Sequence, residues 1–149
     1  VTEQPVGFPF QVVSPNRVVL RERVTSVIVP GLRGAVGFWA GHAPMLVALG
    51  PGVVRYRPAP SGDPPSGEPR SGFRVLAVGG GFFEMNAAGE ATLLADSAEL
   101  PEEIDVERAR AALERARRRL ARPSPELDRT RAETALQRAL ARLMVAGHS

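Results

Sequence analysis

Two kinds of hydrophobic spacing divide the chain near residue 100. Up to about residue 96, short β-branched or aromatic runs are separated by Gly, Pro and Asn: "FPFQVV", "RVVL", "VTSVIVP", "AVGF", "GVVRYR", "FRVLAV", "GFFEM" and "ATLLA". Short strands spaced in this way predict an antiparallel β-sandwich or flattened barrel. Within "VTSVIV", Val24, Ser26 and Ile28 alternate with Thr25, Val27 and Val29, a weak period-two pattern that fits a strand covered on both faces. From about 103 the period becomes helical. Ala109, Ala112, Leu113, Ala116 and Leu120 follow three-four spacing, as do Ala132, Leu136, Ala139, Leu140 and Leu143. Between them Pro123 ends the first helix, Ser124 is placed to cap the second and Pro125 suits its first turn. So short a link favours an antiparallel hairpin. The expected fold is α+β: a β-domain over 1–100, then a two-helix hairpin over 101–149. Both apolar stripes are rich in Ala, which buries little area per residue, so the hairpin should be marginal by itself and able to change partner or shape.

Two glycine-rich or proline-rich segments interrupt this pattern. "PAPSGDPPSGEPRSG", 58–72, has five prolines and almost no apolar content, and reads as an exposed loop between two strands. "VGGGFFEM" carries three consecutive glycines without a following G-K-[ST], which argues for a tight turn or a close backbone approach rather than a phosphate loop.

Composition narrows the chemistry. With 149 residues, 44% of them hydrophobic, the chain can build a real core. Its apolar runs are too short and interrupted to span a membrane, and its start lacks the pattern of an export signal, so a soluble protein is expected. Cys is absent, and His42 and His148 stand far apart, so a metal centre is not expected. All 19 basic residues are Arg, which excludes lysine chemistry; with no G-x-S-x-G elbow either, a binding or regulatory protein is favoured over an enzyme.

Charge then singles out the helical part. Residues 1–100 balance eight Arg against eight acidic residues, whereas 101–149 carry eleven against eight, so the excess lies in the hairpin. A local positive field attracts phosphate, nucleic acid or an acidic protein surface. On the first helix Arg108, Arg115 and Arg119 share one stripe beside the apolar face, and Arg131, Arg138 and Arg142 repeat that spacing on the second. If the hairpin closes, the stripes meet along one edge, where guanidinium groups repel unless an anion lies between them. A solvated basic face explains the stripes equally well; Arg117 and Arg118 point elsewhere and belong to that face. Asp105 is placed as the first helix's N-cap and stands three residues before Arg108, able to orient it.

The segments "VPGLRGAVGFWAGHAPMLVALGPG", "AVGGGFFEM" and "ATLLADSAE", followed by a tail opening "EEIDVERARA", resemble in their order the epsilon subunit of bacterial F-type ATP synthases, over residues 8–146. The resemblance implies a non-catalytic rotor subunit of a proton-translocating enzyme, peripheral on the cytoplasmic face of the plasma membrane. Its β-domain would touch the gamma subunit and the c-ring. Its hairpin would either fold against that domain or extend to the beta subunit and block ATP hydrolysis. No nucleic acid, no membrane insertion and no required cofactor are implied. Some such subunits bind ATP as a regulatory ligand when folded, through an I/L-D-x-x-R-A motif that "IDVERA" matches at Ile104, Asp105, Arg108 and Ala109. The resemblance carries the remaining contacts onto Glu99, Arg115, Arg138 and Arg142. At the rotor interface it points to Ala35, where many relatives are acidic, to Trp39 as an exposed anchor or a core residue, and to His42 as a turn-shaping residue in "GHAP". The competing reading is a free-standing nucleotide- or RNA-binding regulator using the arginine helices. Against RNA, the tail has no aromatic residue on which bases could stack.

Overall fold

The computed structural model describes residues 6–60, 72–122 and 124–147. Most of the expected loop at 58–72, together with Pro123 and His148, lies outside them. Among the described residues the β-domain has seven strands: β1 (Phe8–Val13), β2 (Val18–Gly31), β3 (Gly34–Trp39), β4 (Met45–Pro58), β5 (Arg74–Met85), β6 (Ala91–Ala95) and β7 (Ala98–Glu99). They form one sheet in the order β1-β6-β5-β4-β2-β3, with β7 on β5, and β1 also pairs with β2. The sheet therefore closes on itself as the expected flattened barrel. One pairing departs from the antiparallel expectation: β1 and β6 run parallel. The reason is arithmetic, because the closed ring β1-β2-β4-β5-β6 has an odd number of strands, and an odd ring cannot alternate direction throughout.

Two pairs of runs that read as separate strands are continuous. "RVVL" and "VTSVIVP" form β2, whose pairing with β4 slips between Val24↔Pro58 and Ser26↔Arg57. This bulge replaces simple alternation: Val24, Ser26, Val27 and Val29 are all buried. "FRVLAV" and "GFFEM" join through Gly79, Gly80 and Gly81 into β5. The triple glycine is thus not a turn but the close approach: Gly80 and Gly81 have φ of +106° and +136°, and a Cβ on Gly81 would run into the carbonyl oxygen of Leu94. The barrel core is built from Phe10, Phe38, Phe83, Leu76, Leu93 and a set of valines, with the Phe38 and Phe83 rings 4.3 Å apart. Every residue of this cluster lies between Phe8 and Leu100.

A single 3-10 turn, Pro101–Glu103, leads into helices α1 (Val106–Ala121) and α2 (Arg129–Ala146). Asp105 caps α1 as expected, its carboxylate accepting the Arg108 N–H at 3.1 Å. Asp128, not Ser124, caps α2, accepting the Arg131 N–H at 3.1 Å. Ser124 instead opens a turn in which its carbonyl accepts the Leu127 N–H, which moves Pro125 out of the helix and delays its start. Ala109, Leu113 and Ala116 of α1 are buried, as are Ala132 and Ala139 of α2. The second helix also buries the opposite face, through Ala141 and Val145 against Val75 and Ala77 of the sheet. The single expected stripe therefore understated α2, which lies between α1 and the barrel, while α1 packs on α2 and makes no extensive contact with any strand.

Candidate functional site

The segment from Leu100 to Asp105 is pinned residue by residue. Leu100 packs against the barrel core, and its N–H donates to Glu103 Oε1 at 3.0 Å. The other carboxylate oxygen of Glu103 takes Arg17 Nη2 at 2.6 Å, tying the 3-10 turn to the β1–β2 connection. Ile104 packs with Val53 onto the cluster of Val75, Ala77, Ala141 and Val145. Asp105, by capping α1, sets where that helix begins and so directs Arg108 and Ala109. From the far end of α2, Arg142 Nε donates to Glu99 Oε1 at 2.6 Å.

Glu99, Glu103, Asp105, Arg108, Ala109 and Arg142 thereby line one cleft of about 290 Å³ where barrel, linker and both helices meet. Its size is at the small end of the range for small-molecule sites. The walls carry three carboxylates and two guanidinium groups. Two of those carboxylates are engaged by arginines, Glu103 by Arg17 and Glu99 by Arg142. The third spends one oxygen on the helix cap. Arginines can hold phosphate by planar, charge-assisted hydrogen bonds, and carboxylates can accept from ribose hydroxyls or an amino group. The lining brings no nucleophile and base together.

Of the eight residues carried over from the motif, five line the cleft and Ile104 lies in the apolar cluster beside it. Arg138 and Arg115 do not line it. Arg138 Nη2 donates to Gly79 O at 3.3 Å, and Arg115 is exposed on α1, two turns beyond Arg108. Of the two arginine stripes, only Arg108 and Arg142, one from each, line the cleft. On α2 each member has a partner within the protein: Arg131 with Asp128 at 3.5 Å, Arg138 with Gly79, Arg142 with Glu99. Arg117 leans on Glu114 at 3.6 Å, and Arg118 is exposed, as a solvated face requires. Glu103 and Arg17 escaped the sequence reading. Glu103 had a local signal, an acid three residues after the turn's first N–H donor, but Arg17 is 86 residues away and had none.

Away from the cleft, the barrel exposes several apolar side chains. Trp39 is 58% exposed, its ring lying over Gly37, which settles the choice between anchor and core in favour of the surface. Ala35 is also exposed. His42 shapes the turn after β3: its N–H donates to Trp39 O at 3.2 Å, Nδ1 meets Ala43 O at 2.8 Å, and the ring packs against Phe38, centroids 4.8 Å apart and tilted by 58°. Leu32, Ala35, Val36, Met45 and Leu46 line a groove of about 380 Å³. Next to it, Ala48, Phe82 and Leu94 stand in register across β4, β5 and β6 on the outer face, with Phe82 and Leu94 both about half exposed. A contiguous exposed apolar surface of this kind marks a protein interface. Among the described residues, no helix is long and apolar enough to cross a membrane.

Comparison with known proteins agrees in both halves. Residues 7–101 match the family described as ATP synthase, Delta/Epsilon chain, beta-sandwich domain, and 102–147 match its long alpha-helix domain. The ATP synthase epsilon chain of Moorella thermoacetica is 47% identical over 137 residues, covering 92% of this chain and 94% of the relative. That of Syntrophomonas wolfei is 40% identical, with 91% of each chain covered. A chain in the cryo-EM structure of the Euglena gracilis mitochondrial ATP synthase, OSCP/F1/c-ring, shares the fold with a TM-score of 0.72 and 23% identity, covering 99% of this chain and 85% of that one.

Proposed function

The chain belongs to the ATP synthase delta/epsilon chain family, and from that membership we propose that it is the epsilon-type, non-catalytic subunit in the central stalk of a bacterial, proton-translocating F-type ATP synthase. Its barrel joins the gamma subunit and the c-ring through exposed apolar side chains, among them Leu32, Trp39, Leu46 and Phe82, and holds the protein peripherally at the cytoplasmic face of the membrane. Its hairpin restrains ATP hydrolysis by extending to the beta subunit, and in the folded state ATP binds as a regulatory ligand at the cleft of Asp105, Arg108 and Arg142.

The observation that carries this reading is the division of the molecule. The barrel core is complete between Phe8 and Leu100, while the basic hairpin is attached through a separate, smaller cluster, Ala141 and Val145 on Val75 and Ala77 with Val53 and Ile104 beside them. A part that docks through a cluster of its own can leave without unfolding the part that assembles. Deleting residues from Glu103 onward tests it: the truncated chain should still co-purify with gamma, and the complex should hydrolyse ATP faster than the parent at low ATP. Unchanged hydrolysis would remove the inhibitory role, and lost assembly would remove the division of labour.

A further inference from the structure

Arg138 and Arg142 stand one turn apart on α2, and both reach the same edge of the barrel. Arg138 Nη2 donates to Gly79 O at 3.3 Å, and Arg142 Nε donates to Glu99 Oε1 at 2.6 Å. Their partners belong to one ladder, since the Gly79 N–H donates to Ser97 O and Ala77 pairs with Glu99. The two arginines are thus successive rungs between helix and sheet. The apolar contact beside them joins Ala141 and Val145 to Val75 and Ala77, with Val53 and Ile104 packed against it, and the rung at Glu99 adds an ion pair that bridges helix and barrel. Because α1 makes no extensive contact with the strands, what holds α2 holds the whole hairpin. The Arg142 and Glu99 side chains are only 34% and 28% exposed, which screens the pair less than a surface bridge.

We propose that the Glu99–Arg142 pair is a ligand-independent latch, which keeps the hairpin docked on the barrel with no nucleotide bound. The cleft's assignment to ATP under the proposed function has one consequence here: phosphate and Glu99 compete for the same guanidinium, so ATP adds little to docking in the parent and much once Glu99 is neutralised.

The chain has no Cys, so Ala88→Cys on the exposed β5–β6 turn and Arg117→Cys on the outer side of α1 give a specific pair of spin-label sites. Without nucleotide, the full chain should show one short distance distribution. Glu99→Gln should add an extended population at least severalfold larger than in the parent, and saturating ATP should return it to the short distance. The charge swap Glu99→Arg with Arg142→Glu should restore docking without ATP, which a merely structural loss would not allow. A parent that docks only when ATP is added, or a Glu99→Gln variant as docked as the parent, overturns the latch. Distances that behave as stated in a chain that fails to co-purify with gamma would uphold the latch and reject the stalk assignment instead.

Discussion

Leu49 of β4 faces Gly81 of β5 across an antiparallel ladder, at the place where both strands change the side they bury. Ahead of this point β5 turns Leu76 and Val78 inward, and beyond it Phe83 and Met85; β4 turns Leu49 inward and then, past Gly50, Pro51 and Gly52, Val54 and Tyr56. Period-two alternation cannot change parity without an extra residue or an unusual backbone conformation. In β5 the change uses positive φ values at Gly80 and Gly81, which only glycine adopts without strain.

Gly81→Ala should therefore lower stability by about 2 kcal/mol or more, combining backbone strain with the clash at Leu94 O. In a chain of this size that is a fall of roughly 4 °C or more in the melting midpoint. Gly89→Ala separates the two contributions: its φ is +79°, but a Cβ there meets nothing within 4 Å, so only the backbone penalty of about 1–2 kcal/mol remains. Equal losses in thermal unfolding would show that the close approach at Gly81 carries no weight.

Trp39 and Phe38 are neighbours with opposite duties. Phe38 is fully buried against Phe83, whereas Trp39 lies on the surface over Gly37. Trp39→Ala should leave the melting midpoint nearly unchanged and weaken recovery of the chain with gamma and the c-ring. Phe38→Ala should cost about 3–5 kcal/mol of stability. Pull-down yields normalised to folded protein would distinguish them, and undiminished recovery of Trp39→Ala would exclude Trp39 from the interface.

The architecture was legible because each half obeys a local rule, alternation in the strands and three-four spacing in the helices. What escaped was set by distant partners. Nothing near Gly79–Gly81 distinguishes a turn from a bend inside a long strand; the answer depends on Leu94 and on Pro51, which pairs with Gly79. The second buried face of α2 was hidden because Ala141 and Val145 read as ordinary outer positions until a sheet lies under them. At the cleft, the motif pointed to Asp105 and Arg108 and the family resemblance to Glu99 and Arg142, all of which line it, but the routing of Arg138 to a strand carbonyl depends on a backbone group that has no sequence signature.

Tyr56 gives a pH dependence that can be read without ambiguity, since it is the chain's single tyrosine. It is 3% exposed, and burial, aided by Glu22, raises its pKa above the ordinary 10.0, while Arg74 opposes the rise. The folded state thus keeps the phenol proton where the unfolded state has begun to lose it. Fewer protons are then bound in the unfolded state, so stability is intact below about pH 10 and declines as pH rises toward the folded value. Tyr56→Phe should remove that contribution to the alkaline decline in denaturant titrations. An unaltered alkaline slope would mean that the hydroxyl is not desolvated.

Arg108 and Arg117 carry the same charge on the same helix, yet only Arg108 lines the cleft, while Arg117 pairs with Glu114 in solvent. A phosphate held by a guanidinium gains a charge-assisted hydrogen bond of about 1.5–3 kcal/mol, and each 1.4 kcal/mol is about tenfold in affinity. Arg108→Ala should accordingly weaken ATP binding tenfold or more by calorimetry, and Arg117→Ala less than about twofold. Asp105→Asn keeps a side-chain oxygen for the cap and should preserve α1, whereas Asp105→Ala should cost about 1 kcal/mol of helix stability and misplace Arg108. If the site is formed by that placement, ATP affinity falls in Asp105→Ala even though both guanidinium groups remain. Equal losses for Arg108→Ala and Arg117→Ala would instead describe a diffuse positive field, and no heat of binding in the parent would mean that the cleft is not an ATP site.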